Sequence, residues 1–126
     1  MPRLVGINHV ALEVGDVEAA VDFWRAIFPE LPLAAREPGK AFLALGDQYL
    51  ALLEGRTQER DARRHVGLVV DDLEAAVARA RDAGAEMRRD RFFLDPWGNH
   101  VEVIAYADSD FVKAPEVLRR MGLEGL

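Results

Sequence analysis

His9-Val10-Ala11-Leu12-Glu13-Val14-Gly15-Asp16-Val17-Glu18-Ala19-Ala20-Val21 aligns without a gap to His65-Val66-Gly67-Leu68-Val69-Val70-Asp71-Asp72-Leu73-Glu74-Ala75-Ala76-Val77, with 9 of 13 positions identical at an offset of 56. A repeat this long reads as one supersecondary unit used twice. Two strand-to-helix junctions could share Asp-x-Glu-Ala-Ala by chance, but matched histidines ahead of each junction are not explained that way. The chain therefore reads as two modules in series.

Working outward, residues 4–14 and 64–70 are rich in Val, Leu and Ile and read as strands buried on at least one face. Asp16, and Asp71 or Asp72, supply N-cap oxygens, with Asp71-x-x-Glu74 matching a capping box. Ala19, Ala20, Phe23, Trp24 and Ile27 lie at helical spacing, as do Leu73, Ala76, Val77 and Ala80. Pro29 stops one helix and Gly84 the other. Short strands follow, at 41–45 and 48–53 around Gly46-Asp47, then at 91–94 and 100–106 around residues 95–99. The fold class is α+β: two βαβββ modules forming a curved mixed-sheet cup, plus a short C-terminal helix near 114–122. A single domain spans 1–126, with module 1 at about 1–56, a polar linker at about 57–63, module 2 at about 64–107 and a C-terminal appendage at about 108–126.

Composition bounds the function. With no cysteine among 126 residues, disulfides, thiolate zinc sites and a cysteine nucleophile are excluded, so any chemistry must use oxygen and nitrogen groups. Sixteen basic against 22 acidic residues, a net charge of -6, speak against nucleic acid or an anionic membrane as partner. Apolar runs such as 49–53 are too short to cross a bilayer, and the N-terminus lacks a signal-peptide stretch, so a cytoplasmic protein is expected.

Strand parity then selects candidates, because alternate side chains share a face. His9 and His65 occupy equivalent places on related strands, and Glu102 shares its face with His100 and Ile104. Two imidazoles and one carboxylate suit a divalent transition ion with open positions for water or substrate. A single such histidine is more simply a core residue, but the repeat-related pair with a carboxylate would leave costly unpaired groups without an ion. His100 is a candidate for acid–base work or for a place beside the metal. The Arg56, Arg60, Arg63 and Arg64 cluster reads as linker solvation, Arg88, Arg89 and Arg91 as charge on an edge strand, and Phe23, Trp24 and Phe28 as helix packing.

Asn8-His9-Val10, the Val14-to-Trp24 segment, His65-to-Asp71 and above all Phe93-Leu94-Asp95-Pro96-Trp97-Gly98-Asn99-His100-Val101-Glu102 resemble the vicinal oxygen chelate superfamily, over residues 4 to about 106. The resemblance implies paired βαβββ modules around one metal, with His9, His65 and Glu102 as ligands and Tyr49 and Phe92 as aromatics facing a small-molecule substrate. The implied cofactor is one divalent ion, zinc, manganese, iron, nickel or cobalt. The implied activity is glyoxalase-like lyase or isomerase chemistry on a substrate chelated through neighbouring oxygens, with Glu102 and His100 as catalytic residues. Alternatives are a drug-sequestering protein of the bleomycin-resistance type and a ring-cleaving dioxygenase. A homodimer is implied, some relatives building each cup from two chains. The fourth ligand of glyoxalase I falls on Ala51, and Glu54 reaches the metal only if a bulge turns it inward. Fosfomycin-modifying enzymes use three ligands, but Met87 to Phe92 leaves no room for their Ser/Gly loop.

Overall fold

The computed structural model describes all 126 residues, in the order β1 (His9–Val14), α1 (Val17–Ile27), β2 (Leu33–Glu37), β3 (Lys40–Ala44), β4 (Tyr49–Glu54), β5 (Val66–Val70), α2 (Leu73–Asp82), β6 (Glu86–Met87), β7 (Phe92–Leu94), β8 (His100–Ala105), a 3-10 turn (Tyr106–Asp108) and α3 (Pro115–Arg120). The strands form two four-stranded mixed sheets, ordered β1-β4-β3-β2 and β5-β8-β7-β6. In each, the first strand runs parallel to the last and the remaining pairs are antiparallel. The duplication read from the repeat is thus a duplication of topology.

Each helix starts where the junction aspartate predicts. Asp16 accepts from the Glu18 and Ala19 N–H groups, satisfying donors that the first turn cannot pair. In module 2 the cap is Asp72, which accepts from Ala75 N–H, and not Asp71 of the capping-box reading. The cap stands immediately before the first helical residue, and α2 begins at Leu73.

Alternation divides each sheet into a helix-facing side and an open side. Leu12, Val14, Leu43, Leu50 and Leu52 of the first sheet join Val70, Phe93, Val101 and Val103 of the second in one core around Trp24 and Phe23. Trp24 packs against both Phe28 and Phe93, so the α1 aromatics are helix packing, as their spacing predicts. The open side carries His9, Ala11 and Glu13 on β1, in register with Tyr49, Ala51 and Leu53 of β4. On the second sheet it carries Gly67, in register with Glu102, and Phe92 across from the same Glu102.

One expectation changes. Residues 1–8 form no strand, although an early strand from residue 4 is expected. β4 begins at Tyr49, and the strand pairing closes with Tyr49 N–H donating to Asn8 C=O, so residues 1–7 join no strand ladder and Ile7 C=O accepts only from the Gln48 side chain. Leu4, Val5 and Ile7 stand exposed there. The C-terminal appendage is pinned by Lys113, a buried cation whose ammonium donates to Leu45 C=O, to Gln48 Oε1 and to Asp47 in the β3–β4 turn. Val117 and Leu118 of α3 are buried, and Val117 packs with Met121 against Gly46.

Candidate metal centre on the open side of the second sheet

His65 immediately precedes β5, and its ring lies beside the start of β8. Its Nδ1 is 2.9 Å from Arg63 C=O, and its Nε2 faces Glu102 Oε1 at 3.5 Å. A carbonyl only accepts, so the Nδ1 contact is a hydrogen bond only if Nδ1 carries the proton. In neutral histidine, Nε2 then presents a lone pair to a carboxylate oxygen. The contact is met in one of two ways, by a proton on Nε2 that makes an imidazolium–carboxylate pair or by a cation between the two groups, and a backbone carbonyl on the far nitrogen is how metal-ligating histidines are commonly oriented. The donor set fits a divalent ion.

Glu102 is held from the other side as well. Arg91 Nε donates to its Oε2 at 3.1 Å, leaving Oε1 toward His65. Arg91 is therefore not merely edge-strand charge. Asp90, with φ of 22°, turns the chain just before β7 begins. Arg89 lies over the Phe92 ring at 5.3 Å from its centroid. Phe92, His65 and His100 form a triangle of rings with centroid separations of 5.8, 5.6 and 5.4 Å. Both ring nitrogens of His100 are buried without a hydrogen-bond partner.

His9 does not join this group. Its Nδ1 bonds with Asn8 Oδ1, the residue is exposed, and no three His, Asp or Glu side chains of the chain converge to hold an ion. The structure thus brings together His65, Glu102, His100 and Phe92, and leaves His9 and Tyr49, neighbours in register, on the other sheet. Glu54 is accounted for differently from a ligand. Its Oε1 accepts from Val17 N–H at the start of α1, on the side of the sheet opposite Ala51, so no bulge turns it inward. Glu13, the other carboxylate on the open side, accepts from Thr57 through both backbone and hydroxyl. The Thr57 N–H, and then its hydroxyl, hold that carboxyl below its ordinary value.

A cleft of about 220 Å3 takes in His65 and His100 and is lined as well by Val10, Glu13, Arg56 and Arg64. Arg56 is a correction to the linker-solvation reading. Its side chain is 14% exposed, donating to Asn99 Oδ1 and lying 3.5 Å from Asp61. Asn99 in turn donates to Glu13 C=O at 2.9 Å and to Asp95 Oδ2 at 2.7 Å, tying the β7–β8 turn of module 2 to β1 of module 1. Burial pushes the Asp95 carboxyl above its ordinary value, against the pull of these N–H donors. Sequence alone offered no signal for Arg56, because an arginine among linker arginines looks solvated until the turn it supports is placed. A larger groove, about 310 Å3, lies along α2 and reaches the site only through Arg91.

Paired βαβββ modules, open sheet faces and a histidine–carboxylate pair on the second sheet define the class of the protein. The chain belongs to the glyoxalase-like domain family, which matches residues 9–104, and with it to the vicinal oxygen chelate superfamily. It is 30% identical over 115 residues to the metallothiol transferase FosB of Shouchella clausii, covering 78% of each protein. It is 31% identical over 114 residues to the glutathione transferase FosA of Serratia marcescens, covering 79% of this chain and 80% of that one. Among solved structures, the fosfomycin resistance protein FosX from Listeria monocytogenes, in complex with Mn(II) and 1S,2S-dihydroxypropylphosphonic acid, superposes with a TM-score of 0.70 at 20% identity, covering 94% of this chain and 98% of that chain. No helix of the structure is long and apolar enough to cross a membrane.

Proposed function

We propose that this chain is a glyoxalase-like metal-dependent enzyme that binds a small, oxygen-rich anion at a divalent ion held by His65 and Glu102, with His9 of a second copy as the third ligand. The observation that carries the reading is the 3.5 Å approach of His65 Nε2 to Glu102 Oε1 with Nδ1 turned to Arg63 C=O. When bound, the ion supplies Lewis-acid polarisation of the substrate oxygens. The chain's own residues do the rest. Arg91 holds one carboxylate oxygen of Glu102, so a single oxygen is directed to the centre. Phe92 forms an apolar wall, and the guanidinium of Arg89 above it favours negative charge on the substrate.

Isomerase chemistry needs a second base close to the substrate. Ala51 is apolar, Glu54 caps α1 and Glu13 is occupied by Thr57, so no second carboxylate is free in module 1. This favours addition or group transfer to a polarised electrophile over the proton shuttling of a lyase or isomerase. The relatives FosB, a metallothiol transferase, and FosA, a glutathione transferase, support the same ordering.

A second copy is invoked because His9 is exposed and set apart, beside an exposed apolar stretch, Leu4, Val5 and Ile7, that joins no strand of its own chain. β1 and β5 are both edge strands with a free side, the kind of edge a second chain covers.

Metal analysis of the purified chain, followed by a panel of fosfomycin with thiols, α-ketoaldehyde–thiol adducts and catechol, tests the reading. One ion per chain, lost in His65→Ala and Glu102→Gln, and turnover of the phosphonate epoxide with a thiol are expected. Undiminished metal in His65→Ala overturns the centre. Isomerisation of the adduct or ring cleavage with iron(II) overturns the reaction class. Mixing His9→Ala with His65→Ala chains tests the partner: a symmetric shared site leaves one intact centre per mixed dimer, about a quarter of parental metal after random exchange, whereas a site within one chain restores none.

A further inference from the structure

Lys113 is only 8% exposed, and a charge buried this far is stable only when its donors are met. Its ammonium has three protons and finds three acceptors, Leu45 C=O at 2.7 Å, Asp47 Oδ1 at 2.5 Å and Gln48 Oε1 at 3.4 Å. All three lie in the β3–β4 turn. The segment that follows module 2 thus closes on module 1, at the turn that leads into β4.

Gln48 carries the contact onward. A side-chain amide accepts at its oxygen and donates at its nitrogen, and the ammonium takes the oxygen. Nε2 is thereby turned to Ile7 C=O, to which it donates at 3.3 Å. The next residue acts on the next carbonyl, Tyr49 N–H donating to Asn8 C=O at 2.9 Å. These carbonyls belong to the two rigid peptide planes on either side of the Asn8 Cα, so holding both fixes the Asn8 backbone. Asn8 in turn orients His9, its Oδ1 lying 2.9 Å from His9 Nδ1. That oxygen only accepts, so the contact bonds through a proton on Nδ1, which in the neutral ring leaves Nε2 its lone pair. His65 is arranged alike, with an oxygen on Nδ1 and Nε2 turned outward.

We infer that Lys113 is a positioning residue, acting through Gln48 and Asn8 to present His9 to a second copy, which rests on the reading of His9 as the third ligand there. The segment after module 2 holds no ligand itself, yet it sets the aim of one in module 1. Its effect belongs to the chain that supplies His9 and not to the chain that supplies His65 and Glu102.

That asymmetry is tested by the Zn(II) affinity of mixed dimers. His9→Ala chains, which keep His65 and Glu102, are mixed with His65→Ala chains, which keep His9, so that each mixed dimer has one intact centre. Lys113→Met or Gln48→Glu is then added to one chain or to the other. Gln48→Glu keeps an acceptor for the ammonium and removes the donor to Ile7 C=O, so it decides the matter alone if Lys113→Met chains do not fold. In the His65→Ala chain, either substitution is expected to weaken Zn(II) binding about 10-fold, the lower end of the 10–100-fold that follows loss of a partner orienting a ligand. In the His9→Ala chain, the same substitution leaves the affinity unchanged. A general loosening of the fold or of the dimer acts equally from both chains. Equal losses, a loss only from the His9→Ala chain, or no loss from either overturn the inference while leaving the shared centre standing. Mixtures without the added substitution that recover no Zn(II) binding overturn the shared centre, and the inference with it.

Discussion

Asn99→Ala removes the amide that joins the two modules, and its cost can be worked from the bonds it breaks. Asn99 is 2% exposed. Its Nδ2 donates to Glu13 C=O at 2.9 Å and to Asp95 Oδ2 at 2.7 Å, and its Oδ1 accepts from Arg56 Nη1. The first bond is between neutral groups, worth about 0.5–1.5 kcal/mol net, and the other two involve charged groups, worth about 1.5–3 kcal/mol each. The sum is roughly 4–7 kcal/mol, comparable with the whole stability of an ordinary domain. Urea unfolding measures it, and a fall in melting temperature of at least about 10 °C is expected for a chain of this size. A double-mutant cycle with Arg56→Ala should show a coupling of at least about 1 kcal/mol, because the two residues share one network. A loss below about 1 kcal/mol, with additive effects, would refute the assignment of this network as the tie between modules. Because Asn99 leads directly into His100 and Glu102, a folded Asn99→Ala protein should also bind metal more weakly than the parent.

Other consequences are simpler. Phe93→Ala empties a fully buried ring site that touches Phe23 and Trp24, and equilibrium unfolding should show a loss of about 3–5 kcal/mol. Gly46→Ala places a Cβ 2.6 Å from Met121 Sδ at a φ of 78°, so α3 should loosen and the segment after residue 113 should become more sensitive to limited proteolysis. The Asp47 carboxyl is held below its ordinary 3.8 chiefly by its hydrogen bond from Lys113. Its stabilising contribution is therefore full above about pH 3.8 and lost as pH falls through the lowered folded value, and Lys113→Met should abolish that part of the acid limb in melting temperature against pH. Asp95 carries the opposite sign, since burial raises its folded value. What it contributes is present below its unfolded value and declines as pH rises through the folded one, so Asp95→Asn should flatten that decline.

Much of the fold is legible without coordinates because its signals are local. The repeated His–strand–Asp–helix junction announces two modules, and period-two alternation puts His100 with Glu102 and sets Glu54 against Ala51. Hydrogen bonding within one turn places the helix starts, to within the single residue that separates Asp71 from Asp72. These properties depend on neighbours a few residues away, and the chain carries that information in spacing.

The site divides differently. That His65, His100 and Phe92 meet as rings follows from strand register, which joins residues some 35 positions apart and has no signature in composition. That Arg56 is a buried strut and Arg91 a clamp on Glu102 depends on which turn each guanidinium finds after folding. The largest difference concerns His9. The repeat alone pairs it with His65 as an equal ligand, but the helices of both modules share one core and turn the sheets' open faces to solvent, so equivalence in sequence does not become proximity in space. The sequence by itself determined the modules, the faces and the chemical character of the donors. Only the tertiary structure decided which donors meet, because that depends on how two packed modules are oriented, a long-range property that no local pattern encodes.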